Sequence, residues 1–288
     1  KGLEGSEGHQ AAVQSLMGFR GIVSARSTGK TQAIHRAASQ GHAAVVQMLA
    51  TLRAGSVPKD WKDEKGRRPL EIAATAGHSA VVQTLTNATE DSLQALEIAT
   101  SFGHRVVVRS LVTRRANVAA MLQDNMQAVH IAASQGHVAV MESLFSLRAD
   151  TAALDGNGMR PIDVAAGAGH DAAVESLLLH RANVAAKSQG EVHPLHLAAL
   201  RGHAAVAKSL VRHRANLAAP FEGNMHPIHL AASSGHAVVV ELLVSLGADS
   251  EAADDTGMRP SDFADQAGHV AVSEALKSKR EKKKKGRS

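Results

Sequence analysis

The dipeptide Gly-His recurs nine times along this chain of 288 residues, and this recurrence constrains the fold more than any other feature. Six of the eight intervals between successive copies are 33 residues long, and the other two are 36 and 26 residues long. A fixed period of this length predicts a stack of similar units, each contacting only its neighbours. We therefore expect an extended surface for binding rather than an enclosed pocket for chemistry. The glycines are Gly8, Gly41, Gly77, Gly103, Gly136, Gly169, Gly202, Gly235 and Gly268.

One well-formed unit, residues 226–257, predicts two short helices joined by a tight turn. Pro227 stands where a helix begins, and there its missing N–H costs nothing and its fixed φ helps. The alanines at 231–232 are good helix formers that let neighbouring helices approach closely. Gly235 suits the left-handed residue that ends a helix. Residues 239–243 then give a second helix an apolar face, which only adjacent units can bury.

The motif in this unit resembles the ankyrin repeat. Residues 226–229 read His-Pro-Ile-His where the family has Thr-Pro-Leu-His, and residues 247–249 read Gly-Ala-Asp. The resemblance covers the chain from about Ser6 to Leu276. It implies an all-α ankyrin-repeat solenoid of about eight and a half repeats, each a helix-turn-helix followed by a β-hairpin loop.

Domain boundaries follow from the repeat pattern. We expect residues 1–26 to be a partial N-terminal repeat, 27–276 to be the solenoid and 277–288 to be a basic tail. Between 50 and 103 the repeats are irregular, because one interval has an enlarged loop with Trp61 and the next lacks seven residues. We expect a shortened loop there and a break in the regular superhelix. Such irregularity either marks a binding face or is drift in an unconstrained loop.

One leucine per unit lies seven residues after the Gly-His histidine, on the predicted apolar face of the second helix. We expect these side chains to be buried between adjacent units, except at the two ends of the array. Truncation of an interior one to alanine should cost about 2–5 kcal/mol. The column is Leu16, Leu49, Leu85, Leu111, Leu144, Leu177, Leu210, Leu243 and Leu276.

The net charge of +5 is concentrated near the C-terminus. Residues 277–288 carry eight basic side chains and one acidic one, whereas the rest of the chain carries 24 basic and 26 acidic ones. The simplest expectation for such a block is a solvated, disordered tail. The alternative is contact with anionic lipid, nucleic acid or an acidic patch on a partner protein. The residues proposed for that contact are Lys282, Lys283, Lys284 and Lys285.

Two motif positions depart from the ankyrin pattern. The threonine before the proline is always replaced, by Gln, Arg or His, so we expect weaker helix starts. The histidine in the fourth place is kept in four units and replaced by Glu or Asp in four others. We interpret this exchange as divergence on a shared backbone plan, without a shared chemical role. The kept histidines are His35, His130, His196 and His229, and the acidic replacements are Glu71, Glu97, Asp163 and Asp262.

Arginine replaces the glycine of Gly-Ala-Asp in most units. If the backbone there is left-handed, each arginine costs on the order of 1–2 kcal/mol relative to glycine. The long cationic side chains either lie over helix ends, where cations are favoured, or form a stripe that binds anions. We favour the first interpretation. The positions are Arg53, Arg115, Arg148, Arg181 and Arg214, and Gly247 keeps the glycine.

The sequence predicts no enzyme active site, cofactor or metal. The chain has no cysteine, which excludes disulfides and thiolate chemistry. Thirteen of the seventeen histidines belong to the two repeated positions, and the others have no carboxylate or thiol at metal-ligand spacing. Residues 27–31 end like a phosphate loop, but Ser24 stands where that motif requires glycine.

The resemblance implies non-catalytic binding of partner proteins through the concave face, at loop tips and at variable positions before Gly-His. Exposed aromatic and arginine side chains are frequent hot spots, so Trp61, Phe102 and Arg201 lead, with Phe221. The full set is Gln40, Trp61, Phe102, Asp124, Asn125, Gln135, Asp155, Asn157, Gln189, Glu191, Leu200, Arg201, Phe221, Glu222, Asp255 and Thr256.

Two other roles stay open at this stage. One is a structural or accessory subunit of a large complex, for example in an organellar membrane, and the other is the interaction region of a larger enzyme. Lys1 is not an initiator methionine, and Gly8 follows too few residues for a full first helix. We expect missing upstream residues or a partner that covers this end. The expected location is intracellular and cytoplasmic, or a plastid or mitochondrion after loss of a targeting segment.

Overall fold

The computed structural model describes residues 33–51, 62–86, 91–113 and 116–285, which form sixteen α-helices. In these ranges there is no strand, and the only β pairing is an isolated bridge between Phe221 and Met225. The all-α prediction is confirmed, whereas the described loops close without paired strands. The helices are α1 Ala33–Ser39, α2 Ala43–Thr51, α3 Pro69–Ala76, α4 Ser79–Leu85, α5 Asp91–Ser101, α6 Arg105–Thr113, α7 Ala128–Ser134, α8 Val138–Ser146, α9 Pro161–Ala168, α10 Asp171–Leu179, α11 Pro194–Arg201, α12 Ala204–Arg212, α13 Pro227–Ser233, α14 Ala237–Ser245, α15 Pro260–Gln266 and α16 Val270–Lys285.

The chain divides into two compact units, each built from stacked helix pairs. The first extends to Gln123 and includes residues 146–148, and the second comprises the rest from Asp124 onward. In the first unit, α1, α3 and α5 pack in succession, as do α2, α4 and α6. In the second, α7, α9, α11, α13 and α15 form one such succession, and α10, α12, α14 and α16 form another. Each apolar face is therefore buried by neighbouring repeats.

The side chain at helix position N3 supplies the bond that holds each first helix at its start. Nδ1 of His196 accepts the backbone N–H of His193 at 3.1 Å. The carboxylate of Asp262 accepts the N–H of Arg259 at 2.9 Å. The same bond joins Glu71 to Arg68, His130 to Gln127, Asp163 to Arg160 and His229 to His226.

The interpretation that the His and acid exchange has no shared chemical role is therefore wrong. Both residue types accept a hydrogen bond, so either can satisfy a backbone N–H at a helix N-terminus. The N-terminal residue before each of these helices makes no side-chain cap bond, as expected from the loss of threonine. The acceptor at N3 offsets part of that loss.

The Gly-His dipeptide connects each repeat to the next. Gly202 ends α11 with φ +78°, and a Cβ added to it would lie 2.6 Å from Nδ1 of His236 in the following repeat. Nε2 of the same ring hydrogen-bonds the carbonyl oxygen of Leu200 at 3.0 Å. Glycine is thus required both for its left-handed conformation and for the close approach of the ring. We call this arrangement the Gly-His contact, and it recurs at Gly41–His78, Gly77–His104, Gly136–His170 and Gly169–His203.

The leucine column forms the core, with departures at two positions. Leu85 is only half-buried, at the end of α4 where the loop is shortened. Leu276 was expected to be exposed because it is terminal, but it is 2% exposed since α16 packs on α14 and α15. Leu16 lies outside the described residues. The buried members are Leu49, Leu111, Leu144, Leu177, Leu210 and Leu243.

The 26-residue interval shortens a loop without interrupting helix packing. Only residues 86–90 separate α4 from α5, so the predicted shortened loop is present. Helix α5 begins at Asp91, three residues before the expected start at Gln94. An acidic residue in the first turn favours helix at that end. Packing of α3 on α5 and of α4 on α6 continues, so the predicted break does not occur at this point.

The arginines that replace glycine are left-handed where they are described. Arg148, Arg181 and Arg214 have φ of 67°, 64° and 69°. The conditional expectation of local strain therefore applies to these three residues. Arg53 and Arg115 lie outside the described residues.

The basic segment continues the last helix instead of beginning a disordered tail. Helix α16 extends from Val270 to Lys285, so the expectation of disorder is wrong for residues 277–285. Among the described residues, no helix has both the length and the apolar character needed to cross a bilayer. The predicted partial repeat at 1–26, the segment at 27–31 and Trp61 lie outside the described residues.

Candidate protein-binding surface

The loops of the second unit are ordered from within by aspartate side chains. The carboxylate of Asp155 accepts the backbone N–H groups of Asn157 and Met159, both at 2.8 Å. Asp254 does the same for Thr256 at 2.9 Å and Met258 at 2.8 Å. The Thr256 hydroxyl also bonds Asp254 and lowers the pKa of its carboxyl. The turn geometry is thus fixed locally by Asx-type bonds.

Two predicted contact residues are not available as expected. Asp155 is 8% exposed and its carboxylate is committed to its own loop, so its prediction as a contact residue is wrong. Phe221 is half-buried because its ring packs on His196 with 5.6 Å between centroids, and its backbone bridges to Met225. An aspartate can face solvent or bind its own loop, and the loop N–H groups two and four residues later decide between these.

The tips themselves are exposed and joined to one another. The N–H of Gly156 donates to the carbonyl of Asn125 at 2.9 Å, and that of Asp255 donates to the carbonyl of Gly223 at 2.9 Å. Gln189 donates similarly to Gly158 at 3.3 Å. These bonds place successive tips side by side within the second unit. The exposed predicted residues on them are Asp124, Asn125, Asn157, Gln189, Glu191, Glu222, Asp255 and Thr256.

The tips are acidic and locally strained. Asp124, Asn125 and Glu191 have φ of 55°, 53° and 62°, a region that is costly for residues other than glycine. Glu191 pairs with Lys187 at 3.1 Å, and both side chains are largely exposed. An exposed pair of this kind contributes little to stability. The charges at the tips are therefore accessible to a binding partner.

The ends of the first helices supply the second group of predicted residues. Leu200 is 40% exposed and Arg201 is exposed at the end of α11. Gln135 is exposed just after α7. In the first unit, Gln40 is exposed and Phe102 is 58% exposed, with its ring stacked 6.3 Å from that of His104.

Behind the tips lies a row of buried titratable side chains at the N3 positions. Nε2 of His196 donates to the carbonyl of Ala219 at 2.9 Å, and burial lowers the pKa of this histidine to about 4. Burial also lowers the pKa of His130 and His229. These imidazoles are therefore neutral, each accepting through Nδ1 and donating through Nε2.

Asp163 takes the place of histidine in this row with a matched partner. The Ser188 hydroxyl donates to its Oδ2, and Arg160 lies 3.8 Å from the same oxygen. Burial raises the pKa of Asp163, whose Oδ1 has no hydrogen-bond partner among the described residues. The sequence analysis missed this pair because the two residues lie 25 positions apart. The available signal was a donor, Ser188, at the position where Asp155 and Asp254 stand in other repeats.

Other predicted sites receive no further description. Within the described ranges, no group of three His, Asp or Glu side chains could hold a metal ion. The backbone is helical through Lys282, Lys283, Lys284 and Lys285, but their side chains lie outside the described set, as does Trp61.

Comparison with known families agrees with this architecture. A family model described as ankyrin repeats (three copies) matches residues 5–95, 96–188, 164–254 and 195–285. No curated protein matches the chain. Ankyrin repeats are generally protein–protein interaction modules and are typically non-catalytic. Since the matches span almost the whole sequence, the chain belongs to the ankyrin-repeat family.

Proposed function

We propose that this protein is a non-catalytic scaffold that binds a partner protein through the loop tips and first-helix ends of an ankyrin solenoid. The row of exposed tips in the second unit supports this proposal most directly. Hydrogen bonds from Asp155 and Asp254 order the loops, and backbone bonds join neighbouring tips. A surface that is already ordered loses less conformational entropy on binding.

Leu200 and Arg201 are the proposed anchors at the helix ends. An exposed apolar side chain beside an exposed arginine provides both dispersion contacts and directional hydrogen bonds to a partner. Residues 167–168 and 233–234, at the same positions in the flanking repeats, are Gly-Ala and Ser-Ser. Because these side chains are small, Leu200 and Arg201 are the largest groups at this position in three successive repeats.

Partner capture with matched leucine variants tests this proposal. Proteins bound to the wild-type chain in extracts of its native source would be compared with those bound to Leu200→Ser/Arg201→Ser and to Leu179→Ser. Leu179 is 75% exposed at the end of α10, so it controls for loss of a surface leucine. We expect the double variant to weaken partner binding by about tenfold or more, a typical hot-spot effect. Equal binding by all three proteins would contradict the proposed surface.

A second candidate is a structural or accessory subunit of a large assembly, including an organellar membrane complex. The observation that favours it is the continuation of α16 through the basic segment to Lys285. A cationic helix can bind anionic lipid, nucleic acid or an acidic protein patch. Deletion of residues 277–288 should abolish binding to such surfaces, and added salt should weaken the wild-type interaction. Unchanged binding after deletion would move the anion site to the repeats, with the arginines as the next candidates.

The remaining alternative is the interaction region of a larger enzyme, and the full open reading frame tests it. A catalytic domain would support this role, and a targeting segment would favour plastid or mitochondrion over the proposed cytoplasmic location. We retain the division into a partial repeat at 1–26, a solenoid at 27–276 and a basic segment at 277–288. Within this chain we expect no ATP binding, so binding that is lost in Lys30→Ala would contradict the non-catalytic proposal.

A further inference from the structure

A cavity of about 260 Å³ lies between two successive loops of the second unit. Its walls are mostly apolar, with Val184 on one loop, Ala219 and Pro220 on the next, and Leu195 from α11. Two groups with ionisable or hydrogen-bonding atoms, His193 and Lys187, also line it. The cavity therefore combines apolar walls with polar groups on one side.

The preceding repeat explains why this space is open. Arg160 occupies the position that corresponds to His193, 33 residues earlier in the sequence. Its guanidinium reaches the next loop, with Nη2 2.5 Å from the carbonyl oxygen of Lys187 and Nη1 3.4 Å from the Ser188 hydroxyl. The imidazole of His193 is shorter than that side chain, and the ring makes no hydrogen bond to the described residues. A volume that arginine fills in one repeat is thus left empty in the next.

The charges around the cavity favour an anionic group over a cationic one. Arg160 is balanced by the buried carboxylate of Asp163, but the corresponding residue beside His193 is the neutral His196. Burial, and then the nearby Lys187 and Arg160, lower the pKa of His193, so a second positive charge is disfavoured there. A carboxylate would instead meet the Lys187 ammonium and an N–H of the imidazole. The exposed Lys187–Glu191 pair is weak enough to yield to it.

The size of the cavity limits its occupant to about one residue. A dry cavity of about 150 Å³ accommodates a benzene molecule, whereas sites for drug-sized ligands begin at about 300 Å³. A cofactor or nucleotide is therefore too large. A single Leu or Phe residue fits, but it must itself bring the carboxylate, and only a residue at a chain terminus has one on its own backbone.

We propose that this cavity binds the apolar C-terminal residue of a partner protein, with the side chain between the two loops and the terminal carboxylate against Lys187 and His193. This inference rests on the proposed function, since it takes the partner to be a protein. It assigns to His193 and Lys187 the recognition of a free carboxylate, and to Val184, Leu195 and Ala219 the recognition of the apolar side chain.

Titration of the full chain with N-acetyl-L-leucine and with its uncharged amide, followed by NMR, tests the inference. We expect the acid to shift resonances of His193, Leu195 and Ala219 saturably, and the amide to bind at least about tenfold more weakly. His193→Arg should abolish binding, because arginine fills the equivalent space in the preceding repeat. His226→Arg, at the same position of the following repeat and outside the cavity, should leave binding unchanged.

Several results would overturn the inference: equal binding of acid and amide, no saturable shift with either, unchanged binding in His193→Arg, or equal loss in His226→Arg. The two arginine variants also report folding, because one natural arginine, Arg160, already occupies this motif position in the same unit. The experiment is independent of the helix-end anchors. Leu200→Ser/Arg201→Ser should still bind N-acetyl-L-leucine, so failure of the proposed surface and failure of the cavity proposal are separately visible.

Discussion

The repeat between Gly77 and Gly103 lacks most of a loop, whereas the repeat between Gly202 and Gly235 has a complete one, yet both keep the Gly-His contact. In the short repeat, Nε2 of His104 lies 2.7 Å from the Thr75 carbonyl oxygen. In the complete repeat, the corresponding distance, from His236 to Leu200, is 3.0 Å. Stacking of successive repeats is therefore set at the Gly-His turn. The loop can be shortened without loss of that register.

The cost of the missing loop appears in the core instead. Leu210 has no exposed surface in the complete repeat, whereas Leu85 is half-buried in the short one. The comparison separates two roles within one repeat: the turn aligns neighbours, and the loop completes the cover over the second helix. Since only the turn is required for alignment, loops are free to vary, and both proposed binding regions lie at or beside them.

The largest expected difference between the two repeats is in the leucine column. Leu210→Ala should lower the free energy of unfolding by about 2–5 kcal/mol, because it leaves a cavity in a fully buried site. Leu85→Ala should cost about half as much, since part of that side chain is already in water. Urea unfolding of both variants, followed by circular dichroism, measures the difference. Equal losses would mean that the short repeat is as well covered as the complete one.

Acidification should destabilise the second unit through its buried histidines. The pKa of His196 is lowered by burial from 6.5 to about 4 in the folded state. Below pH 6.5 the unfolded chain binds a proton that the folded chain refuses, so stability is complete above that pH and is lost progressively down to about 4. A shift of this size corresponds to about 3 kcal/mol. Urea unfolding at a series of pH values between 7 and 4 measures it.

A double variant copied from another repeat sharpens this test. His196→Asp/Phe221→Ser recreates the Asp163–Ser188 pair, in which burial raises the pKa of the aspartate. A raised carboxyl pKa has the opposite sign, since that stability is present at low pH and is lost as pH rises through the folded value. The variant should therefore lose less stability on acidification than the wild type. The single variant His196→Asp, without the serine donor, should be the less stable of the two at neutral pH.

Alanine substitutions in the turns test whether the Gly-His contact is equally important in both repeats. Gly202→Ala should cost about 2 kcal/mol or more, because it combines left-handed strain with a clash against His236. Gly77→Ala, which faces His104, should cost as much. Gly190→Ala is the matched control: its φ is +76°, but nothing lies within 4 Å of the added Cβ, so it should cost about 1 kcal/mol. A small loss at Gly77 alone would show that the short repeat is aligned by other contacts.

Sequence reasoning identified the features that recur at fixed spacing and missed those that depend on pairs across repeats. The period, the helix at Pro227 and the left-handed glycine at Gly235 follow from local chemistry. The burial of Asp155 depends on whether its carboxylate turns into its own loop. The cavity at His193 depends on the length of a side chain relative to a space whose width only the folded loops define.

The smallest expected effect concerns the arginines that replace glycine in the complete repeats. Arg181→Gly removes strain at φ 64°, worth about 1–2 kcal/mol, but increases the entropy of the unfolded chain, so the net gain should be about 0.5 kcal/mol. The reverse change, Gly247→Arg, should be clearly unfavourable, because φ there is 103°. Thermal unfolding with and without sulfate distinguishes the two interpretations of these arginines. If they only lie over helix ends, sulfate should change the Tm of Arg181→Gly and wild type equally; a selective loss of sulfate stabilisation in the variant would identify an anion-binding site.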